Sequence, residues 1–176
     1  MPGDRCQHCT AVTIRRLTSQ EASLHRALRL RALTDTPYAF GETLSVTAAR
    51  PFLYWEILTR QLSNDHGPVM LLTETTAGAM GFGYGLLDHH YADRGRVGGI
   101  WVEPTWRGRG LGQQLVLAIQ DWARERGLQA LDLWVSGDAV GALLLYHRLG
   151  FVPTGDVKPS PVDPVRPLLA MRCSLT

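Results

Sequence analysis

A glycine-rich segment at residues 102–112, V-E-P-T-W-R-G-R-G-L-G, separates a strand-like stretch from an amphipathic helix. The first N–H groups of a helix have no partner inside it and carry the positive end of the helix dipole, so such a junction can bind an anion such as phosphate. Glycines here let the main chain approach a ligand, and arginines add positive charge at the rim. The residues concerned are Gly108, Gly110 and Gly112, and Arg107 and Arg109. The segment therefore indicates a strand–turn–helix unit with an anion site at the turn.

Two well-known phosphate loops do not fit this segment. A Walker loop needs Gly-Lys-Ser/Thr, which the segment lacks. The dinucleotide fingerprint needs a glycine three residues after Gly110, where Gln113 stands. Neither an NTPase nor an NAD enzyme is therefore expected.

The pattern Arg107-x-x-Gly110-x-Gly112, after a strand that ends in Val-x-Pro, resembles the acyl-CoA pyrophosphate loop of the GNAT superfamily of N-acetyltransferases. A second segment, residues 131–151, resembles the next block of that family: a strand, a short helix and a Gly-Phe pair that leads into another strand. The matching residues of this block are Ala142, Leu145, Tyr146, Gly150 and Phe151. Together the two blocks cover about a third of the chain, in the order and separation found in the family.

The resemblance implies an α/β (α+β) fold: a mixed, mostly antiparallel sheet of six to seven strands, with helices on both faces and a cleft where two central strands splay apart. It also implies transfer of an acetyl group from acetyl-CoA to a primary amine by direct attack of the amine on the thioester. Main-chain N–H groups of the turn are then expected to hold the CoA pyrophosphate, and the preceding strand to pair with the pantetheine arm. The residues of the turn are Arg107, Gly108, Arg109, Gly110, Leu111 and Gly112, and those of the strand are Ile100, Trp101 and Val102.

Tyr146 is the candidate general acid. The resembling enzymes use the tyrosine of this Leu-Tyr pair to protonate, or donate a hydrogen bond to, the leaving thiolate, and a phenol has the donor and the reach for that role. An isolated helix tyrosine more commonly packs its ring and leaves its hydroxyl in water. One position departs from the family pattern, because Ala139 replaces an asparagine that contacts acyl-CoA. The neighbouring Asp138 is a candidate cap for the helix, although its charge repels CoA phosphates.

Composition limits the classes of function. With 176 residues and 45% hydrophobic content, the chain can bury one sizeable core, and we expect a flexible tail at residues 1–10 and a single domain at 11–176. A net charge of +2, with positive and negative residues interspersed, argues against a nucleic-acid-binding face.

Neither a membrane span nor a signal peptide is recognised in the sequence, which predicts a cytoplasmic protein. The three cysteines argue against a disulfide framework, and Cys6-x-x-Cys9 lacks the second pair of a zinc site, so we expect no metal.

Local patterns predict the order of the elements. The strand-like stretches are residues 13–17, 69–74, 79–87, 97–102, 130–135, 151–152 and 168–175. Helices are expected after Thr18 or Ser19, over residues 47–62, after Gly110 up to Gly127, and up to about residue 149. The paired glycines within 97–102 indicate a bulge, and the proline-rich stretch 157–167 is expected to be a loop.

The general base and the acceptor stay open. Five side chains in or beside predicted loops are candidates for the base: Glu42, Asp88, His89, His90 and Glu103. A base that acts through water leaves no mark in a sequence. The aromatic and acidic loop at 38–43 suits a cationic amine, which an antibiotic, an amino acid, another small molecule or a protein N-terminus can supply.

Two classes of function fit these observations. The first is the acetyltransferase, which the retained Tyr146 favours. The alternative is a noncatalytic acyl-CoA-binding or sensor module, whose degenerate site is marked by Ala139 in place of the asparagine. Either could act as a homodimer, the commonest soluble assembly.

Overall fold

The computed structural model describes residues 11–176, which contain seven strands and five α-helices. Cys6, Cys9 and the tail predicted at 1–10 lie outside the described residues. The strands are β1 (Thr13–Arg16), β2 (Val69–Thr75), β3 (Gly78–Leu87), β4 (Arg94–Val102), β5 (Ala130–Ser136), β6 (Val152–Pro159) and β7 (Pro167–Ser174). The helices are α1 (Ala22–Asp35), α2 (Leu44–Ala48), α3 (Phe52–Leu62), α4 (Leu111–Glu125) and α5 (Val140–Arg148). None of these helices is long and apolar enough to cross a bilayer.

The seven strands in this part of the chain form one sheet in the order β1-β2-β3-β4-β5-β7-β6. The pairing of β4 with β5 is parallel, and the other five neighbouring pairs are antiparallel. The predicted mixed, mostly antiparallel sheet is therefore confirmed.

Successive side chains of a strand point to opposite faces of the sheet, and here they belong to two apolar layers, one on each face. On β2, Val69 and Leu71 belong to a cluster that includes Ile119 of α4. Met70 and Leu72, the intervening residues, belong to a second cluster that includes Leu28 and Leu33 of α1. Both faces of β2 are thus buried, as expected for a strand covered by helices on both sides. The prediction of helices on both faces is confirmed.

β4 and β5 are joined over only a short length. Their register covers three positions, Arg94 with Ala130, Gly95 with Leu131 and Arg96 with Asp132, and the strands then diverge. After the last of these pairs, the edge of β4 that faces β5 has no strand partner. The structure therefore has an opening inside the sheet.

The predicted bulge lies in β4, directly after the paired segment. The register with β3 shifts between Phe82 and Tyr84, and Gly99 adopts φ +55°. A Cβ atom at Gly99 would lie 2.8 Å from the Tyr84 ring, so close packing as well as the backbone conformation requires glycine here.

Two boundaries differ from the sequence-based expectation. The helix predicted at 47–62 is two helices, α2 and α3, separated at Pro51, because a proline disfavours helical geometry in the residue before it. The strand predicted at 151–152 continues to Pro159, so the loop expected at 157–167 starts three residues later. β6 is an edge strand, and one of its edges needs no hydrogen-bond partner, so it accepts prolines that an inner strand would exclude.

Candidate active site

A cleft of about 500 Å³ fills the opening between β4 and β5, and we call it the β4/β5 cleft. Residues 96–100 of β4 and 134–136 of β5 form its two sides. α5 contributes Ala139, Ala142 and Tyr146 to its wall. The loop 38–41 and residues of β6 and β7 complete its front. The diverging parallel strands thus create a cavity at their carboxyl ends.

The glycine-rich turn leads from the end of β4 into α4. Gly108 and Gly110 have φ of +75° and +79°, and a Cβ atom at either would meet open space. The first helical bond runs from the Gln114 N–H to the Gly110 carbonyl, 3.0 Å, so the N–H groups of Leu111 and Gly112 have no helical acceptor. These donors, at the positive end of a 15-residue helix, form a surface that favours an anion.

This turn contacts the helix that lines the β4/β5 cleft. A Cβ atom at Gly112 would lie 3.5 Å from the Leu145 side chain of α5, which is ordinary van der Waals contact. Tyr146 is the next residue along α5. The two blocks recognised in the sequence are therefore brought together at one end of the sheet.

The arginines of the turn are exposed to solvent, but both side chains contact the protein. Arg107 Nε donates to the Val102 carbonyl at 2.9 Å, and its guanidinium forms an ion pair with Asp35 at the end of α1. Asp35 also accepts a 2.9 Å hydrogen bond from Trp101 Nε1. The Arg109 guanidinium lies 4.5 Å from the centre of the Trp106 ring. Sequence reasoning missed Asp35, because its partners come 66 and 72 residues later.

The three residues proposed on β4 present different surfaces. The Trp101 and Val102 side chains are buried in opposite layers of the core. Ile100 is half-buried and lines the β4/β5 cleft. Only main-chain groups of Trp101 and Val102 can therefore serve a ligand in the cleft.

Tyr146 lies in the wall of the β4/β5 cleft and is 9% exposed. Its ring packs edge-to-face on Phe151, with centroids 5.7 Å apart. Burial raises the pKa of the phenol to about 12, so it stays protonated at neutral pH. Within residues 11–176 its hydroxyl has no hydrogen-bond partner. A neutral donor is thus held at the cleft.

Ala139 is the N-terminal cap position of α5 and contributes only a methyl group to the cleft wall. The expectation that Asp138 caps this helix is wrong, because no side chain caps α5. Asp138 instead accepts a 2.6 Å hydrogen bond from the Ser136 hydroxyl and pairs with Arg166. Its carboxylate is therefore not a substitute for the missing asparagine.

A second cavity, of about 300 Å³, lies on the α1 side of the bulge, and we call it the α1 pocket. It shares part of its wall with the β4/β5 cleft, including Gly98 and Gly99 of the bulge. Its other lining residues are His25, Arg29, Ala39, Phe40, Gly41, Glu42, Tyr54, Trp55, Leu58, Leu62, Tyr84, Leu86. The bulge is therefore accessible from a cavity on either side.

Of the five candidate bases, one lines one of these two cavities. Glu42 lines the α1 pocket, but its carboxylate pairs with Arg50 at 2.5 Å and accepts from the Thr47 hydroxyl at 3.1 Å. Asp88 accepts hydrogen bonds from the main-chain N–H groups of His90 and Tyr91. Both bonds lower the pKa of the Asp88 carboxyl, and the bond from His90 has the larger effect. Neither cavity is lined by Asp88, His89, His90 or Glu103. Glu103 pairs with Arg31 of α1.

Comparison with known proteins agrees with this geometry. A sequence model of the acetyltransferase (GNAT) family matches residues 29–151, more than half of the chain. The aminoglycoside N(6')-acetyltransferase type 1 of Stenotrophomonas maltophilia is 28% identical over 151 residues, which are 82% of this chain and 89% of that protein.

Other matches are shorter or more distant in sequence. An uncharacterized N-acetyltransferase of Methanocaldococcus jannaschii is 42% identical over 52 residues, 30% of this chain, and the match spans only 23% of that protein. The yncA acetyltransferase of Salmonella typhimurium, solved with its cofactor acetyl-CoA, superposes with a TM-score of 0.74 at 21% identity, covering 94% of this chain and 95% of the other. This last likeness is one of fold. Taken with the match over residues 29–151, it confirms the resemblance: the chain belongs to the GNAT family of acetyltransferases.

Proposed function

We propose that this chain transfers the acetyl group of acetyl-CoA to a primary amine. The observation that carries the proposal is the opening in the sheet: a cleft between diverging parallel strands, with a protonated tyrosine in its wall and helix N–H donors without a helical acceptor beside it. Acetyl-CoA as the donor is supported by the Salmonella typhimurium protein, which was solved with it.

We assign the pyrophosphate and the pantetheine arm of acetyl-CoA to two neighbouring parts of the site. We assign its pyrophosphate to the turn 107–112, mainly to the main chain of Gly108, Arg109, Gly110, Leu111 and Gly112, since the side chain of Arg107 is bound to Asp35 and Val102. The pantetheine arm carries amide groups and is as narrow as a strand. We assign it to the open edge of β4 at Ile100, Trp101 and Val102, with Ala139 opposite.

The reaction consumes one amine and one thioester. The ammonium form of the acceptor loses a proton to water, and the neutral nitrogen attacks the thioester carbonyl carbon. The carbon–sulfur bond then breaks and the nitrogen releases its second proton to water, which leaves an N-acetyl amide and the CoA thiolate. Tyr146 is proposed to donate its hydroxyl proton, through a hydrogen bond, to the departing sulfur and to regain a proton from water. With its pKa raised to about 12, the phenol is protonated at neutral pH and enters each cycle as a hydrogen-bond donor.

The proposal is tested by measuring free thiol released from acetyl-CoA in the presence of amines, amino acids, aminoglycosides and N-terminal peptides. Tyr146→Phe removes only the hydroxyl, and we expect kcat to fall by about 100-fold with little change in acetyl-CoA affinity. Tyr91→Phe, at an exposed tyrosine outside both cavities, is the matched control and should keep full activity. Acetyl-CoA binding without amine-dependent thiol release from any acceptor would favour the noncatalytic module.

A further inference from the structure

The α1 pocket contains two charged side chains, and only one of them has a partner. Glu42 is held by Arg50 and by the Thr47 hydroxyl. Arg29, one of the arginines of α1, forms neither an ion pair nor a hydrogen bond with any group of the described chain. Its half-buried guanidinium therefore has five N–H donors that are available to bind an anion.

The contact between Arg29 and Phe40 orients the N–H donors of the guanidinium. Its guanidinium carbon lies 4.2 Å from the centre of the Phe40 ring, so the planar group rests on an aromatic face. Phe40 in turn belongs to the wall that the α1 pocket shares with the β4/β5 cleft. The edge of a stacked guanidinium can bind both oxygens of one carboxylate.

Among the other polar side chains of the α1 pocket, His25 is bound within the protein, whereas the buried Trp55 Nε1 has no hydrogen-bond partner in the described residues. His25 uses Nδ1 for the Thr59 hydroxyl at 2.9 Å and Nε2 for the Tyr84 hydroxyl at 3.0 Å. The rest of the lining is largely aromatic and aliphatic, with Tyr54, Trp55 and Leu58 from α3. A ligand of this pocket therefore meets one cationic group without a partner, the paired Glu42 carboxylate and a largely apolar surface.

The adjoining cleft adds further positive charge. Arg96 and Lys158 line the β4/β5 cleft, and the only carboxylate in an ion pair with Arg96 in the described residues is that of Asp88, at 3.7 Å. Lys158 Nζ lies 4.0 Å from the centre of the Trp134 ring. The surroundings of the bulge thus favour an acceptor that carries a negative group and disfavour a polycation.

We propose that the acceptor is an α-amino acid with an apolar side chain, bound in the α1 pocket with its carboxylate on Arg29. The apolar side chain packs among the α3 residues, and the amine reaches the thioester at the bulge of Gly98 and Gly99. This inference rests on the proposed acetyltransferase function. It distinguishes this chain from its Stenotrophomonas maltophilia relative, whose name gives an aminoglycoside as acceptor, because an aminoglycoside carries several positive charges and no carboxylate.

The test compares amino acids with acceptors that lack the carboxylate. Thiol release from acetyl-CoA is measured with leucine, methionine and phenylalanine, with their neutral amides, and with kanamycin. We expect kcat/KM for at least one of the free amino acids to exceed that for its amide by 10-fold or more. Equal use of acid and amide, or a preference for kanamycin, would overturn the inference while leaving the acetyltransferase intact.

Variants then locate the effect at Arg29. Arg29→Gln should lower kcat/KM for the preferred amino acid by about 10- to 100-fold and leave the amide nearly unchanged, so the preference disappears. Arg29→Lys keeps the charge without the planar fork and should lose less. Arg26→Gln, on the same helix and outside both cavities, is the control and should behave as wild type. A preference that survives in Arg29→Gln would refute the assignment, and no acetylation of any amine would refute both the acceptor and the transferase.

Discussion

At the scale of single residues, one buried histidine joins three elements of the fold. His25 of α1 is fully buried and contacts Thr59 of α3 and Tyr84 of β3 through its two ring nitrogens. Burial, with a smaller contribution from Arg29, lowers the pKa of the imidazole to about 4. The ring is therefore neutral at pH 7, donating from one nitrogen and accepting at the other.

The lowered pKa predicts that acid destabilises the protein through His25. The unfolded imidazole has a pKa of about 6.5, so between pH 6.5 and pH 4 the unfolded chain binds more protons, and the free energy of unfolding falls as the pH falls. From this residue alone we expect a loss of about 2 kcal/mol between pH 7 and pH 5. Urea denaturation at both pH values measures it.

The matched variants for this experiment are His25→Gln and His66→Gln. His25→Gln should be less stable than wild type at pH 7, yet lack this part of the pH dependence. His66 is exposed, and its variant should retain the wild-type dependence. Identical pH dependence in wild type and His25→Gln would show that another group causes the acid sensitivity.

Residue patterns in the sequence located some of these groups and not others. The glycines of the turn and Tyr146 were found because each belongs to a local pattern of a few residues. His25, Arg29 and Asp35 were not, because their importance comes from contacts with residues that are distant in sequence, such as Tyr84 and Arg107. A histidine three residues before Leu28, on the buried side of α1, is the only local signal that could have indicated His25.

At the scale of elements, β4 changes its role along its length. It begins as a parallel partner of β5, bends at Gly98 and Gly99, and ends as an open edge beside the cleft. The bulge was predictable because two adjacent glycines in a strand indicate it. The family resemblance implied that two central strands splay apart, but the sequence of β4 alone does not show that its pairing with β5 ends after Arg96.

The bulge predicts that alanine destabilises the protein more at Gly99 than at Gly98. At Gly99, alanine would adopt φ +55° and its Cβ would lie 2.8 Å from the Tyr84 ring, so we expect a loss of about 2 kcal/mol or more in the free energy of unfolding. At Gly98, the nearest atom would lie at an ordinary 3.5 Å, and the loss should stay below about 1 kcal/mol. Urea denaturation of the two variants at pH 7 compares them directly. An equal loss in the free energy of unfolding for both variants would show that the positive φ and close packing at Gly99 do not restrict this position to glycine.

At the scale of the whole molecule, two parts of the sheet meet at the short β4/β5 junction. β1 to β4 lie on one side of it and β5, β7 and β6 on the other, with three paired positions between the two strands that meet. A ligand in the β4/β5 cleft contacts both parts. Binding should therefore stabilise the entire fold rather than a single loop.

Thermal unfolding with and without the donor tests this expectation. A ligand present at about 100 times its Kd adds about 2.7 kcal/mol, which for a chain of this size raises Tm by about 5–10 °C. S-acetylpantetheine lacks the nucleotide and pyrophosphate and should raise Tm much less at the same concentration, because it cannot use the N-terminus of α4. Equal increases in Tm with both compounds would show that the turn at residues 107–112 does not contribute to binding of the donor.

The opening between β4 and β5 also affects how the sheet meets other protein chains. Unpaired strand edges attract foreign strands, and those at the border of a sheet promote aggregation. Beyond the junction, the facing edges of β4 and β5 lie inside the sheet, whereas its borders are β1 and β6. An incoming polypeptide with ordinary side chains would have to separate these strands in order to pair with them. The unpaired main-chain groups inside the sheet are therefore less available for self-association than those at its borders.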